Sequence, residues 1–219
     1  MTVTQQLKKI SVEVFGCLKM KEYKTECIAN ECLNMKVLFV LLLSALRADS
    51  QSFHQGNCPK PPVQEDFNVT KYMGTWYEIE KLPALFERGK CNQATYSLLD
   101  DGTVKVRNAE LLANGKISTI EGVATVKNSS HPAILDVGFF KGVPDAPYLV
   151  LSTDYHTYAL VYSCADYYGF FHIDFAWILA RTRVLPEDVV SQSHDKLAAA
   201  GVNIKRLTVS NQTGCDIMT

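Results

Sequence analysis

The stretch Phe171-His172-Ile173-Asp174-Phe175-Ala176-Trp177-Ile178-Leu179-Ala180-Arg181 decides the fold. Successive side chains of a strand point to opposite faces. Here Phe171, Ile173, Phe175, Trp177 and Leu179 form one set, while His172, Asp174, Ala176, Ile178 and Ala180 form the other. The bulky set must face an interior. Runs rich in β-branched and aromatic residues precede it at 75–81, 93–99, 103–111, 116–126, 133–140, 148–153 and 157–164. The separators are turn-forming, among them Asp101-Gly102 and Asn114-Gly115, which supply the positive φ that tight hairpins need. Strands joined in sequence order read as an up-and-down antiparallel meander. A meander can fold as a sandwich or close on itself. The one-sided bulk of 171–181 selects an eight-stranded closed barrel, which has room either to fill itself with side chains or to enclose one small ligand.

One helix interrupts the all-β pattern. Pro186 suits a first helical position, Glu187 and Asp188 the positive end of the dipole, and Gly201 the residue after the last turn. Its apolar residues Val189, Val190, Leu197 and Ala198 are expected to pack on the outside of the sheet. A last run, 204–209, reads as an added edge strand.

The chain has 219 residues, 47% hydrophobic and 21% charged, ordinary for one globular domain. Its 22 basic and 23 acidic residues are interspersed and leave a net charge of -1, with no basic stripe to track phosphates, which argues against a nucleic-acid partner. Met35-Lys36 followed by the apolar run Val37 to Leu46 and the small-residue context Ala48-Asp49-Ser50 forms a secretory signal at 35–50, too short for a membrane span. Residues 1–34 are an atypical extension ahead of it, consistent with an upstream start, and the mature domain is expected to occupy 51–219. Of seven cysteines, Cys58, Cys91, Cys164 and Cys215 remain after cleavage. In an oxidising compartment that number suggests two disulfides, with three connectivities open. No C-x-x-C spacing or histidine cluster suggests a metal, and no cofactor motif occurs. Sequons at Asn68, Asn128 and Asn211 fit the same compartment.

Gly74-Thr75-Trp76 opens the first strand, Thr153-Asp154-Tyr155 sits in a turn between two strands, and Arg181 ends the strand containing Trp177. In these three features, in this order, the chain resembles the lipocalins, and the resemblance extends over essentially 51–215. It implies that Trp76 packs across the closed base of the barrel with Arg181 stacked over it, a cation–π contact worth about 0.5–2 kcal/mol. It also implies pairing of Cys58 with Cys164 and Cys91 with Cys215. The implied ligand site has Trp177 as its central aromatic, with Tyr96, Asn108, Phe139 and Tyr148 around it.

Strand parity supports the same set. Val106 shares a face with Asn108, Leu135 and Val137 with Phe139, and Phe175 and Leu179 with Trp177. An apolar pocket with few polar groups suits a secreted carrier of small hydrophobic ligands such as fatty acids or steroids. The alternative of a solid core is weakened by Asn108, since a buried amide without a partner is costly. Leu112 stands where a related sequence carries a basic residue, which puts a preference for acids in question. The loops 143–149 and 166–171 carry apolar residues expected to be exposed, suggesting contact with lipoprotein particles or a membrane surface. A bilin-type pigment carrier, or an interaction protein acting through these loops, are the competing readings. An enzyme ranks last: His172 and Asp174 are expected as a surface pair outside the barrel, and His54, His131, His156 and His194 fall in a terminus, in loops or on the helix surface. The four mature cysteines are consumed by the two bridges, which leaves no free thiol.

Overall fold

In the computed structural model the described residues are 52–218; the expected extension and secretory signal, 1–50, lie outside them. The elements are β1 (Ser52–Gln55), α1 (Val69–Tyr72), β2 (Gly74–Lys81), β3 (Lys90–Leu98), β4 (Val104–Leu111), β5 (Ile117–Val126), β6 (Ile134–Gly138), β7 (Ala146–Thr153), β8 (Tyr158–Tyr167), β9 (Phe171–Ala180), α2 (Glu187–Ala199) and β10 (Thr208–Val209). Each strand from β2 to β9 pairs antiparallel with the next, and β9 pairs back onto β2, closing an eight-stranded barrel. The eight expected runs are these eight strands, with boundaries moved by a few residues.

Two flanking strands use the edges that closure leaves over. β1 lies along Phe171–Asp174 of β9, beyond the segment Trp177–Ala180 that pairs with β2. β10 lies beside Glu80 and Lys81. The expected edge strand at 204–209 is therefore only partly formed: Ile204–Arg206 is a 3-10 turn, and only Thr208 and Val209 reach β2. Neither β1 nor the single turn α1 was expected, because each is too short to show a period.

Apolar side chains sort into clusters on the two faces of the wall. Inside are Trp76, Tyr96, Val104, Val106, Leu135, Val137, Val150, Val161 and Leu179. Outside, Leu82, Leu160, Tyr162 and Ile178 meet Leu197 of α2. Val189 and Val190 pack there too, but Ala198 is exposed and Ser193 is buried in its place. Ser193 continues the i, i+4 stripe of Val189 and Leu197, whereas Ala198 sits one step of about 100° off it. Pro186 stands at the N-cap, one residue earlier than expected. The bridges Cys58–Cys164 and Cys91–Cys215 both form, the second fastening the C-terminal tail over Ala109 and Leu111.

Candidate ligand site

The barrel has one sealed end. Trp76 is fully buried there, and its indole N–H donates to the Tyr72 carbonyl at 2.9 Å. The Arg181 guanidinium lies 3.7 Å from the centre of the Trp76 ring. It also donates to the carbonyls of Tyr155 and Thr75 at 3.0 Å each, and to those of Lys71 and Tyr72 at 3.2 and 3.3 Å. Gly74 is required beside it: its φ is +95°, and an added Cβ would stand 3.3 Å from Arg181 Nη1. The turn 153–155 is pinned by its own side chains. Thr153 Oγ1 donates to the Tyr158 carbonyl, and Asp154 accepts from the amides of His156, Thr157 and Tyr158. Burial pushes the Asp154 carboxyl up, but these amides outweigh it and hold it below the usual range.

Above the seal stands a chain of three phenols. Tyr148 Oη lies 2.8 Å from both Tyr72 Oη and Tyr96 Oη. Burial raises all three hydroxyls, Tyr96 to about 12, so they remain protonated and can relay hydrogen bonds. The side chains close up around them, leaving a cavity of only about 10 Å3 bordered by Phe67, Tyr96, Leu135 and Tyr148. That holds one water at most.

Towards the other end the interior changes character. Phe175 and Trp177 stack with ring centres 6.0 Å apart, and Phe86 of the β2–β3 loop leans on Phe175 at 5.4 Å. The Trp177 indole N–H donates to Glu87 Oε1 at 3.2 Å, and the other Glu87 oxygen lies 2.5 Å from Lys81 Nζ. Lys81 also meets Glu78 at 3.1 Å, and Glu78 in turn accepts from Asn92 Nδ2 and Ser210 Oγ. Burial pushes the Glu87 carboxyl up to about 8, helped by the neighbouring Glu78 charge and opposed by Lys81.

Of the expected site residues, Tyr96, Val106, Leu135, Val137 and Leu179 lie buried in the inner cluster. Phe139, Tyr148 and Trp177 pack against it half-buried. Asn108 is half-buried and in register with Ala94, which also packs there; its amide has no hydrogen-bond partner among the described residues. Sequence patterning singles out none of Glu78, Lys81 and Glu87: Glu78 lies on the face that alternation from Trp76 turns inward, Glu87 lies in a loop without parity, and of the three Lys81 alone breaks the rule. A bulge between Glu78 and Glu80 breaks the alternation: Glu78 is opposite inward Leu179, Glu80 opposite outward Ile178, and Lys81 opposite inward Trp177. Strict alternation from Trp76 would have turned Lys81 outward.

The expectation of His172 and Asp174 as a surface pair is corrected. They do lie outside the barrel, but both are buried, 7% and 3% exposed, because β1 covers them. His172 Nδ1 is 2.9 Å from the Gly56 carbonyl, its ring stacks on His54 at 5.1 Å, and His54 Nε2 is 3.2 Å from Asp174. Burial, with Asp174 beside it, raises the Tyr162 hydroxyl at the same spot. His194 meets Glu80 at 2.6 Å on the outer face of the barrel.

Comparison with known proteins agrees with this architecture. A family profile described as the lipocalin-like domain matches residues 67–212. The chain belongs to the lipocalins. Among lipocalin relatives, apolipoprotein D of Oryctolagus cuniculus is 50% identical over 186 residues, covering 83% of this chain and 98% of that protein. The bilin-binding protein of Pieris brassicae is 36% identical over 157 residues, covering 69% and 80%. Among solved lipocalin structures, insecticyanin from the tobacco hornworm Manduca sexta superposes with a TM-score of 0.66 at 26% identity, over 76% of this chain and 92% of that one.

Proposed function

We propose that the protein is a secreted carrier that binds and transports small hydrophobic ligands, fatty acids or steroids among them, in the barrel above its phenol-lined base. The observation that carries this reading is the half-buried Asn108 amide, unpartnered among the described residues and on the inward face with Trp177 and Phe139. A solid core would leave that amide at a cost of about 1–3 kcal/mol, whereas a ligand or water offsets it. Apolar burial at about 25 cal/mol per Å2 would supply the affinity, and Asn108, Tyr96 and Tyr148 the orientation. Phe175 and Leu179 extend the aromatic wall, and Val106, Leu135 and Val137 the aliphatic one. Residence outside the cell is supported by the two bridges and by the exposure of all three sequon asparagines, Asn68, Asn128 and Asn211. Titration of the purified disulfide-bonded chain with oleic acid and with progesterone, followed by tryptophan fluorescence, tests the reading. A Trp177→Phe variant should lose most of the signal, and no response to any lipophile at micromolar concentration defeats the proposal.

A second contact is favoured by the rim. Tyr168 and Phe170 are 77% and 79% exposed, and Phe86, Phe140 and Val143 are exposed as well. Such clustered apolar side chains suit a lipoprotein particle or membrane surface. Flotation with phosphatidylcholine vesicles should be lost when Tyr168 and Phe170 are replaced by serine. The name of one relative, a bilin-binding protein, keeps a pigment ligand as the competing reading, which colour in the natively purified protein would reveal.

A further inference from the structure

Glu87 holds its two carboxyl oxygens on two different donors, the Lys81 ammonium and the Trp177 indole N–H. Both donors belong to the barrel wall, on adjacent strands and in direct register, facing inward. Glu87 belongs instead to the loop between β2 and β3, whose Leu85 and Phe86 are 46% and 59% exposed. The other acid on Lys81, Glu78, is differently placed. It is buried in a strand and fastened by Asn92 and Ser210. One acceptor is thus built into the wall, and the other is carried in by a surface loop.

We infer that Lys81 and Trp177 form a carboxyl-binding subsite of the ligand cavity, that Glu87 occupies it in the unliganded protein, and that the head group of a carboxyl-bearing lipophile takes the place of Glu87. This rests on the carrier reading and names the ligand class it favours. The exchange is like for like: one carboxyl group leaves and another enters, so both donors keep an oxygen acceptor. An ester or alcohol offers only one strong acceptor to two donors that require two, and buried donors left unpaired are penalised. The tail of a ligand held this way would run past Phe175 and Trp177 towards Asn108 and Phe139. The subsite also supplies the basic group that Leu112 does not.

The loop is held by more than this latch. Glu110 Oε2 accepts from the amides of Arg88 and Gly89 at 2.8 and 2.5 Å, so release of Glu87 leaves the rear of the loop anchored. Only the segment around Phe86 and Glu87 need swing out.

The test is the ratio of affinities for oleic acid and methyl oleate, measured by calorimetry on the wild type, Glu87→Ala and Lys81→Met. Removing the tethered competitor should raise the acid-to-ester ratio about tenfold, the scale of one charge-assisted hydrogen bond. Lys81→Met should bring the ratio to about one. If Glu87→Ala leaves the ratio where it was in the wild type, the inference is overturned while the carrier reading stands. Should Lys81→Met fold poorly, the Glu87→Ala arm decides alone. Failure of every variant to bind either probe would overturn the carrier reading and this inference together.

Discussion

Replacing Arg181 by methionine should unseal the closed end without touching the ligand site. The guanidinium stacks 3.7 Å from the Trp76 ring centre, and with Trp76 fully buried that contact belongs near the upper end of the cation–π range, about 2 kcal/mol. Its two shorter hydrogen bonds, to Tyr155 and Thr75 at 3.0 Å, are charge-assisted and worth about 1.5 kcal/mol each. The two longer ones at 3.2 and 3.3 Å add less. Opposing these, burial disfavours the charged guanidinium, which lowers its affinity for its proton. A net loss of about 3–4 kcal/mol follows, since methionine fills much of the stem's volume but bonds none of the four carbonyls. For a domain of this size each kcal/mol moves Tm by about 2–4 °C, so a fall of roughly 6–16 °C is expected. Urea denaturation followed by circular dichroism supplies the free energy directly. Arg181→Lys should recover the charge but not the planar stack and fork, retaining about half of the stability. An Arg181→Met protein within about 1 kcal/mol of the wild type would refute this account of the seal.

Three further outcomes follow from the same geometry. Glu87 has its carboxyl raised from 4.5 to about 8, so the stability tied to its neutral form is complete below about pH 4.5 and is lost as pH rises through about 8; urea midpoints of Glu87→Gln should fall less than wild type between about pH 5 and 8, and parallel profiles would count against the burial of this acid. Replacing Cys91 and Cys215 together by serine opens a bridge spanning 124 residues and should cost roughly 3–5 kcal/mol in the chain-entropy account, with tryptic cleavage appearing first in the C-terminal tail; an unchanged unfolding midpoint would argue that the tail is held by packing alone. Asp174→Asn removes the charge facing His54 and Tyr162 and should cost about 2 kcal/mol while raising amide exchange along β1, and unchanged exchange there would show that Asp174 does not anchor that strand.

The inward wall was legible because a strand writes its two faces into alternate residues. Val104, Val106 and Asn108, or Leu135 and Val137, could be assigned from period alone, and the barrel bears that out for each of them. The same rule failed at Lys81, since a bulge is one residue of extra backbone and leaves no compositional mark in Glu78-Ile79-Glu80-Lys81. It failed differently at His172 and Asp174. Their face was assigned correctly, but burial on that face depends on β1, a four-residue strand with no period of its own. Ala198 illustrates the same limit on a helix, where one position off the buried stripe separates covered from exposed.

What the sequence by itself determined is the order and pairing of the barrel strands, the sealed end built by Gly74, Trp76 and Arg181, and the identity of the inward aromatics. The strand order and the inward faces follow from local rules, in which side-chain direction repeats every second residue and turns are set by Asx-Gly pairs, whereas the sealed end is what the resemblance to the lipocalins implies. What only the tertiary structure decided is the polar chemistry of the interior. Lys81 meets Glu87 and Trp177 because closure of β9 on β2, a bulge and a folded-back loop bring together residues up to 96 positions apart. No pattern in the chain encodes such a meeting, because a buried charge finds its partner through the path of the backbone in space.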